Sequence, residues 1–274
     1  MPKRTESLMT ESLCHLILVV TTLLSGSVLA APEATYLLLP GGNFVSHLAL
    51  DGAQVSIRIV PFLMRMTLVT EADYQGFVQT HPAWQRDKIS PLYATGPYLG
   101  TWQTPLTPGV NIDPRSPVTE ISWFAARAYC ASENARLPTW YEWEYAAAAN
   151  RYHNDARNSS SRHATLLRDI LNRTGQIASA IKQHPANFYG LYDMNTLVWE
   201  WVNDYAALFL NADARNPDQQ NLLQLCGGSA LAFNDRSDYP LMMRVAALSA
   251  MQPSDVSNNI GFRCVRDLPQ ENVP

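Results

Sequence analysis

The sequence predicts an α+β domain, loop-rich and with little regular secondary structure. Three observations carry this: short helices marked by capping residues, short strand-like runs that end in Pro and Gly, and a long aromatic-rich stretch with no period. In chain order, Thr35 to Phe44 reads TYLLLPGGNF, an apolar strand closed by a Pro-Gly-Gly turn. Ser56 to Met66 mixes β-branched and aromatic residues and reads as a second strand. Thr70 then caps a helix whose apolar spacing runs to Val78. From Gln79 to Pro117 the chain is rich in Pro, Gly, Trp and Tyr; it is too apolar for disorder and reads as ordered loop packed by aromatics. Ser122 caps a helix ending near Cys130, and Arg136-Leu-Pro-Thr139 separates it from another, Trp140 to Ala149, where Thr139 and Glu142 make a capping box. Residues 150–184 change composition and end in an amphipathic run from His163 to His184, which reads as an insertion beside the core. After Pro185 the chain returns to strand and turn chemistry. No internal repeat or low-complexity tract interrupts it.

A formal net charge of −4 excludes an electrostatic nucleic-acid binder, which needs a clustered basic face. Lys3 and Arg4, the apolar run Leu16 to Leu24, and the small residues Ser25 to Ala30 have the grammar of a secretory signal, with cleavage expected after Ala30. An uncleaved anchor is the alternative. The expected product is a single domain, residues 31–274, exported to a bacterial periplasm, with no permanent membrane span after cleavage. In a bacterial host the sequons at Asn158 and Asn172 carry no weight. Removing the leader takes Cys14 and leaves Cys130, Cys226 and Cys264, an odd number that implies one pair and one unpaired thiol.

Several segments bear on function. They are LPGGNF (39–44), PVTEISWFAARAYCASENARLPTWYEWEYAAAA (117–149), NFYGLYDMNTLVWEWVND (187–204), CGGSA (226–230) and NNIGFRCVRD (258–267). In this order the chain resembles the formylglycine-generating enzyme, or sulfatase-modifying factor, family. The resemblance implies that family's fold, a variant of the C-type lectin fold, over most of the chain. Read physically, Trp123, Trp143, Tyr145, Trp199 and Trp201 supply large apolar area to a loop-rich core. Glu142, Glu144 and Glu200 lie among these aromatics and require cations or backbone donors, for which Arg136 and Arg263 are the candidates.

The resemblance further implies a disulfide between Cys130 and Cys264, leaving Cys226 as the free thiol. It implies structural calcium near Asp193-Met-Asn-Thr-Leu-Val-Trp-Glu200, held by Asp193, Glu200 and the backbone of Thr196 and Val198, although Thr196 and Leu197 replace the family's Gly-Asn. In the family, two cysteines shortly after Gly-Gly-Ser bind copper(I) and convert a substrate cysteine to formylglycine. Here no cysteine stands between Cys226 and Cys264, so copper(I) held by a cysteine pair is not expected. Met242 and Met243 are soft donors by chemistry but read as core. The redox metal, if there is one, is not identified by any residue pattern, and His47, His81, His153, His163 and His184 show no metal-ligand spacing. The family's substrate cleft maps onto Trp199, Ser229 and Asn259, with Asp235, Arg236, Asp238 and Tyr239 from the substituted loop. Asp235 and Asp238 read either as base or hard-metal ligands, or as an Asx-turn in a solvated loop. Three functions stay open: an oxidase or accessory factor in the maturation of another exported protein or peptide, resembling siderophore-maturation and nitrite-reductase-associated members; a non-catalytic lectin-like binding module; and a genuine sulfatase activator.

Overall fold

The computed structural model describes residues 34–50, 53–173, 178–204 and 238–269, and these belong to one compact unit, Pro32–Pro274. The expected leader, and with it Cys14, lies outside the described residues. Both strand-like runs expected near the start are divided in two, and the breakers are visible in the sequence. Gly41 turns with φ +67°, and a Cβ there would stand 2.2 Å from the Ile59 carbonyl oxygen, so a side chain is excluded by backbone contact. Pro61 splits the second run in the same way. The result is β1 (Tyr36–Leu39), β2 (Gly42–Leu50), β3 (Ala53–Ile59) and β4 (Phe62–Arg65). β2 and β3 form an antiparallel pair with a register irregularity between Ser46 and Ala49. β1 and β4 pair antiparallel, and β7 (Val265–Asp267) adds to β4, giving a three-stranded sheet of order β1-β4-β7 that joins the two ends of the domain.

The helices start where their caps predict. α1 (Glu71–Thr80) has a reciprocal capping box between Thr70 and Asp73. α2 (Trp123–Ser132) is capped by Ser122, and α3 (Trp140–Ala148) by Thr139 with Glu142 reaching back. Between α1 and α2 the aromatic stretch is ordered as expected: apart from a short 3₁₀ turn, Pro82–Trp84, it is irregular, and Tyr98 and Trp102 are buried. α4 (Ser160–Asn172) is the amphipathic helix of the insertion and buries Leu166 and Ile170. α5 (Tyr239–Ser249) was not expected; Asp238 caps it, Pro240 sits in its first turn, and Leu241, Val245 and Leu248 form its buried stripe, against which α4 packs. Two very short parallel strands, β5 (Trp199–Glu200) and β6 (Ile260–Gly261), complete the frame. Trp140, Trp143 and Trp201 are fully buried and Tyr145 nearly so, which is the packing role assigned to the aromatic set.

Cys130 on α2 and Cys264 just before β7 form the expected disulfide, with Cα atoms 5.5 Å apart across 134 residues of sequence. Arg136 fastens the same region from outside, pairing with Glu142 at 2.7 Å and with Asp267. In the chain-entropy account a loop this long gives about 4 to 5 kcal/mol of stabilisation. The Cys130→Ala/Cys264→Ala variant is expected to be less stable than the wild type by up to that amount and to melt at a correspondingly lower temperature. Adding reductant should lower the melting temperature of the wild type and leave the variant's unchanged.

A second test concerns Glu71, buried at the start of α1, where Trp102 Nε1 donates to it at 2.8 Å. Burial pushes its carboxyl up to about 7, opposed by the Trp102 hydrogen bond and reinforced by Glu120. Between the unfolded value of 4.5 and about 7 the folded chain therefore holds a proton that the unfolded chain has released. Glu71 makes stability fall as pH rises through this window and adds no further slope above it. Thermal melting from pH 4.5 to 8 should show Glu71→Gln gaining stability relative to wild type as pH rises; a difference independent of pH would refute this.

Candidate functional site

The β5–β6 pair brings together two of the residues expected to line a cleft, Trp199 and Asn259. The Trp199 N–H donates to the Asn259 carbonyl at 2.8 Å and the Trp201 N–H to the Gly261 carbonyl at 2.9 Å. A Cβ on Gly261 would meet the Val118 carbonyl oxygen at 2.9 Å and Val198 at 3.1 Å, so only glycine lets β6 approach this closely. Beneath this pair, Arg263 grips both oxygens of Glu200 at 2.7 and 3.1 Å, with both side chains fully buried. Arg244 from α5 donates to the Glu200 carbonyl at 2.7 Å and lies 3.6 Å above the ring of Trp143. The carboxylates among the aromatics are thus met by cations as expected, except that the partner of Glu144 is Arg157 of the insertion, at 3.3 Å, together with Ser46, the His47 N–H and Trp140 Nε1. Burial raises the pKa of Glu144 against these donors.

Of the expected cleft residues, Trp199 and Asn259 come together through the strand pairing, and the Asn259 side chain is exposed, accepting from Ser257 Oγ at 2.7 Å. Trp199 is buried, and its ring is covered at 4.0 Å by the guanidinium of Arg173, just past the last turn of α4. The insertion therefore covers a ring face expected to be open to substrate. Ser229, Asp235, Arg236 and the thiol of Cys226 lie outside the described residues. Asp238 is neither solvated nor an isolated Asx-turn: it is 3% exposed, caps α5 through the Leu241 N–H, and receives His47 Nδ1 at 3.0 Å. Tyr239 is exposed, and Met242 and Met243 pack against the core.

The oxygens expected to hold calcium have other partners. Both oxygens of Glu200 face Arg263, and the Asp193 carboxylate accepts the backbone N–H groups of Lys182 and Gln183. These two carboxylates are engaged by protein donors, and the backbone of Thr196 and Val198 is the remaining part of the expected ligand set. Among the described residues no group of three or more His, Cys, Asp or Glu is arranged to hold a metal ion.

Sequence spacing gave no sign of two polar clusters. In the first, Asp238 stands between His47, at 3.0 Å, and His163 of α4, at 3.9 Å, tying β2, the insertion and α5 together. In the second, a cavity of about 330 Å³ opens beside α4, lined in part by Arg162, Leu166, Asp169, His184, Asp193 and Met194. His184 Nε2 lies 3.5 Å from Asp169, and its Nδ1 lies 3.8 Å from Asp193. The insertion therefore lines this cavity.

A loop-rich α+β domain whose two ends share one sheet, in which a long-range disulfide ties α2 to the segment before β7 and a short parallel pair carries Trp199–Glu200, is the class of fold that the resemblance implied. The chain belongs to the sulfatase-modifying factor enzyme 1-like family, whose domain matches residues 25–268. It is 29% identical over 284 residues to the formylglycine-generating enzyme of Streptomyces coelicolor, covering 84% of this chain and 88% of that protein. It is 27% identical over 278 residues to the inactive C-alpha-formylglycine-generating enzyme 2 of Mus musculus, covering 86% and 87%. The solved structure of CarF is similar in fold, with a TM-score of 0.50 at 18% identity, covering 86% of this chain and 98% of that one.

Asp238 offers a direct test of structural against reactive roles. Asparagine caps a helix as well as aspartate does, whereas alanine forfeits the cap at about 0.5 to 2 kcal/mol. Urea unfolding should rank the chains wild type, Asp238→Asn, Asp238→Ala, with the first step reporting the His47 contact and the second the cap. An Asp238→Ala chain as stable as wild type would show that this carboxylate does not hold α5.

Proposed function

We propose that the chain is an exported family member that acts as an oxidase or accessory factor in the maturation of another exported protein or peptide, and that it does not make formylglycine. The observation that carries this reading is the inventory of sulfur donors. Of four cysteines, Cys130 and Cys264 are joined to each other, Cys14 belongs to the expected leader, and Cys226 alone stands beside Gly-Gly-Ser. Copper(I) selects soft thiolates, and one thiol cannot provide the pair that grips it. Met242 and Met243, the only other soft donors near that part of the sequence, pack against the core on α5. The residues present do not fit a two-thiolate copper site, and no step is routed through one.

Two further features support the proposal. The similarity to a mouse relative named as inactive extends over most of both chains, so the fold persists in a protein described as lacking the family reaction. The long-range disulfide suits an oxidising compartment, as does the expected leader. A second reading, a non-catalytic lectin-like binding module, is favoured by one observation: Arg173 covers Trp199, a ring expected to face substrate.

Purified protein supplied with copper(I), oxygen and a sulfatase-type cysteine peptide is expected to give no aldehyde product by mass spectrometry. Copper-dependent aldehyde formation would overturn the proposal. Oxygen uptake with a tyrosyl or cysteinyl peptide separates the remaining readings: turnover excludes the binding module, and peptide binding without oxygen uptake excludes the oxidase.

A further inference from the structure

The cavity beside α4 is bounded by one face of that helix, by the segment that follows α3 and by residues between His184 and Thr196. It holds about 330 Å³, a size at which small molecules are bound, and neither Trp199 nor Asn259 lines it. Arg162, Leu166 and Asp169 contribute from α4 at successive spacings of four and three residues, so they stand in a row along one face of the helix. Ala147, Leu191 and Met194, all buried, supply further apolar wall.

The two ends of this row differ in charge. At the Asp169 end, the carboxylate Oδ2 lies 3.5 Å from His184 Nε2, and His184 Nδ1 lies 3.8 Å from Asp193, both too long for a good hydrogen bond. The oxygens of Asp193 accept the Lys182 and Gln183 N–H groups, whereas Asp169 Oδ2, His184 Nδ1 and Thr196 Oγ1 are buried without a partner among the described residues. Buried polar atoms are almost always hydrogen-bonded, so three unfilled ones from residues of one cavity wall call for a polar occupant. The His184 side chain is 40% exposed and hydrogen-bonded to neither carboxylate, so the ring is not fixed in front of them. At the other end, Arg162 donates to the Ala147 carbonyl. Arg151, four residues past Ala147, is exposed; its guanidinium lies 5.6 Å from the Tyr152 ring and has no carboxylate partner among the described residues.

Arg162 and Asp169 are seven residues apart in the sequence, which is about 10 Å along a helix axis. An extended peptide advances about 3.3 to 3.6 Å per residue, so roughly three residues span that length. A simple cation would suit one end of the cavity and a simple anion the other, whereas a chain with an ammonium at one terminus and a carboxylate at the other suits both. We propose that the cavity beside α4 binds a short zwitterionic peptide of about three residues, with its ammonium on Asp169 and its carboxylate on Arg151. The ammonium donates to Asp169 Oδ2, and an apolar central side chain packs on Leu166 and Met194. This site is distinct from the cleft residues Trp199 and Asn259 and does not depend on the maturation role proposed above.

Isothermal titration calorimetry with the peptide Ala-Leu-Ala tests this, against its N-acetylated form, its C-amidated form and free leucine. The unblocked peptide should bind, and each blocking group should weaken binding roughly tenfold or more, because each removes a charge-assisted hydrogen bond. Leucine, too short to reach both ends, should bind no better than either blocked peptide. Asp169→Asn should lose affinity for the unblocked peptide and keep that for the acetylated one unchanged. Arg151→Ala, at an exposed position, should lose affinity for the free carboxylate and not for the amide. Thermal melting establishes that each variant is folded; should Asp169→Asn fail to fold, Arg151→Ala and the blocked peptides still decide. Equal binding of blocked and unblocked peptides, or peptide binding indifferent to both substitutions, would overturn the proposal. So would an absence of binding at millimolar peptide, with soaked crystals showing only water in the cavity.

Discussion

The ion pair between Glu200 and Arg263 is the constraint on which the rest of the architecture depends. β5 and β6 have two residues each, and backbone hydrogen bonds over so short a pairing cannot specify a register. The bidentate contact between a residue of β5 and the residue two beyond the end of β6 does so, because an Arg fork meets a carboxylate in one geometry. That register places Trp199 and Trp201 on one face of the chain with Glu200 between them on the other, and it leaves the Glu200 carbonyl free to accept from Arg244. Removing either charge would leave the other buried without a partner, which is costlier than losing an exposed pair.

The insertion is built into this arrangement and is not an appendage beside the core. Arg157 reaches Glu144, Arg162 donates to the Ala147 carbonyl, His163 approaches Asp238, and Arg173 covers Trp199. Each of these positive or polar groups meets an acceptor or a ring presented by α3, β5 or the start of α5. A segment whose sequence shows only an amphipathic helix thus supplies cations to several buried acceptors. The apolar stripe of Leu166 and Ile170 brings the helix to the core, and the arginines set its position.

The legible parts of the fold are those fixed by neighbours in sequence. Thr70, Ser122 and Thr139 mark helix starts because capping is a contact over three residues, and Gly41 and Pro61 mark strand breaks by local sterics. The disulfide followed from the odd cysteine count together with the family resemblance. α5 is locally encoded as well, by an aspartate cap, a proline in the first turn and a Leu-Val-Leu stripe, but its adjacent methionines and acidic lead-in resemble a substituted loop as much as a helix. The site is less legible because its contacts are non-local. His47 and Asp238 are 191 residues apart, and Arg263 and Glu200 are 63 apart. Apart from the proximity of Arg263 and Glu200 to aromatic motifs, no spacing rule joins such residues. The closing of Trp199 by Arg173 depends on how the insertion packs, which composition alone does not encode.

Frame and chemistry rest on different kinds of residue in this fold, which explains how one can be kept without the other. The frame uses buried tryptophans, paired guanidinium and carboxylate groups and a disulfide, each held by contacts to other frame residues. The family reaction needs two thiolates after Gly-Gly-Ser, and the frame described here makes no use of sulfur at those positions. Their absence removes a soft-metal donor pair, while the buried tryptophans and ion pairs of the described residues do not involve those positions. The reverse does not hold, because Glu200 or Arg263 cannot be replaced singly without stranding a charge. A chain that carries this arginine and tryptophan frame and lacks the thiol pair therefore keeps the contacts that hold its fold, because none of them passes through those sulfur atoms.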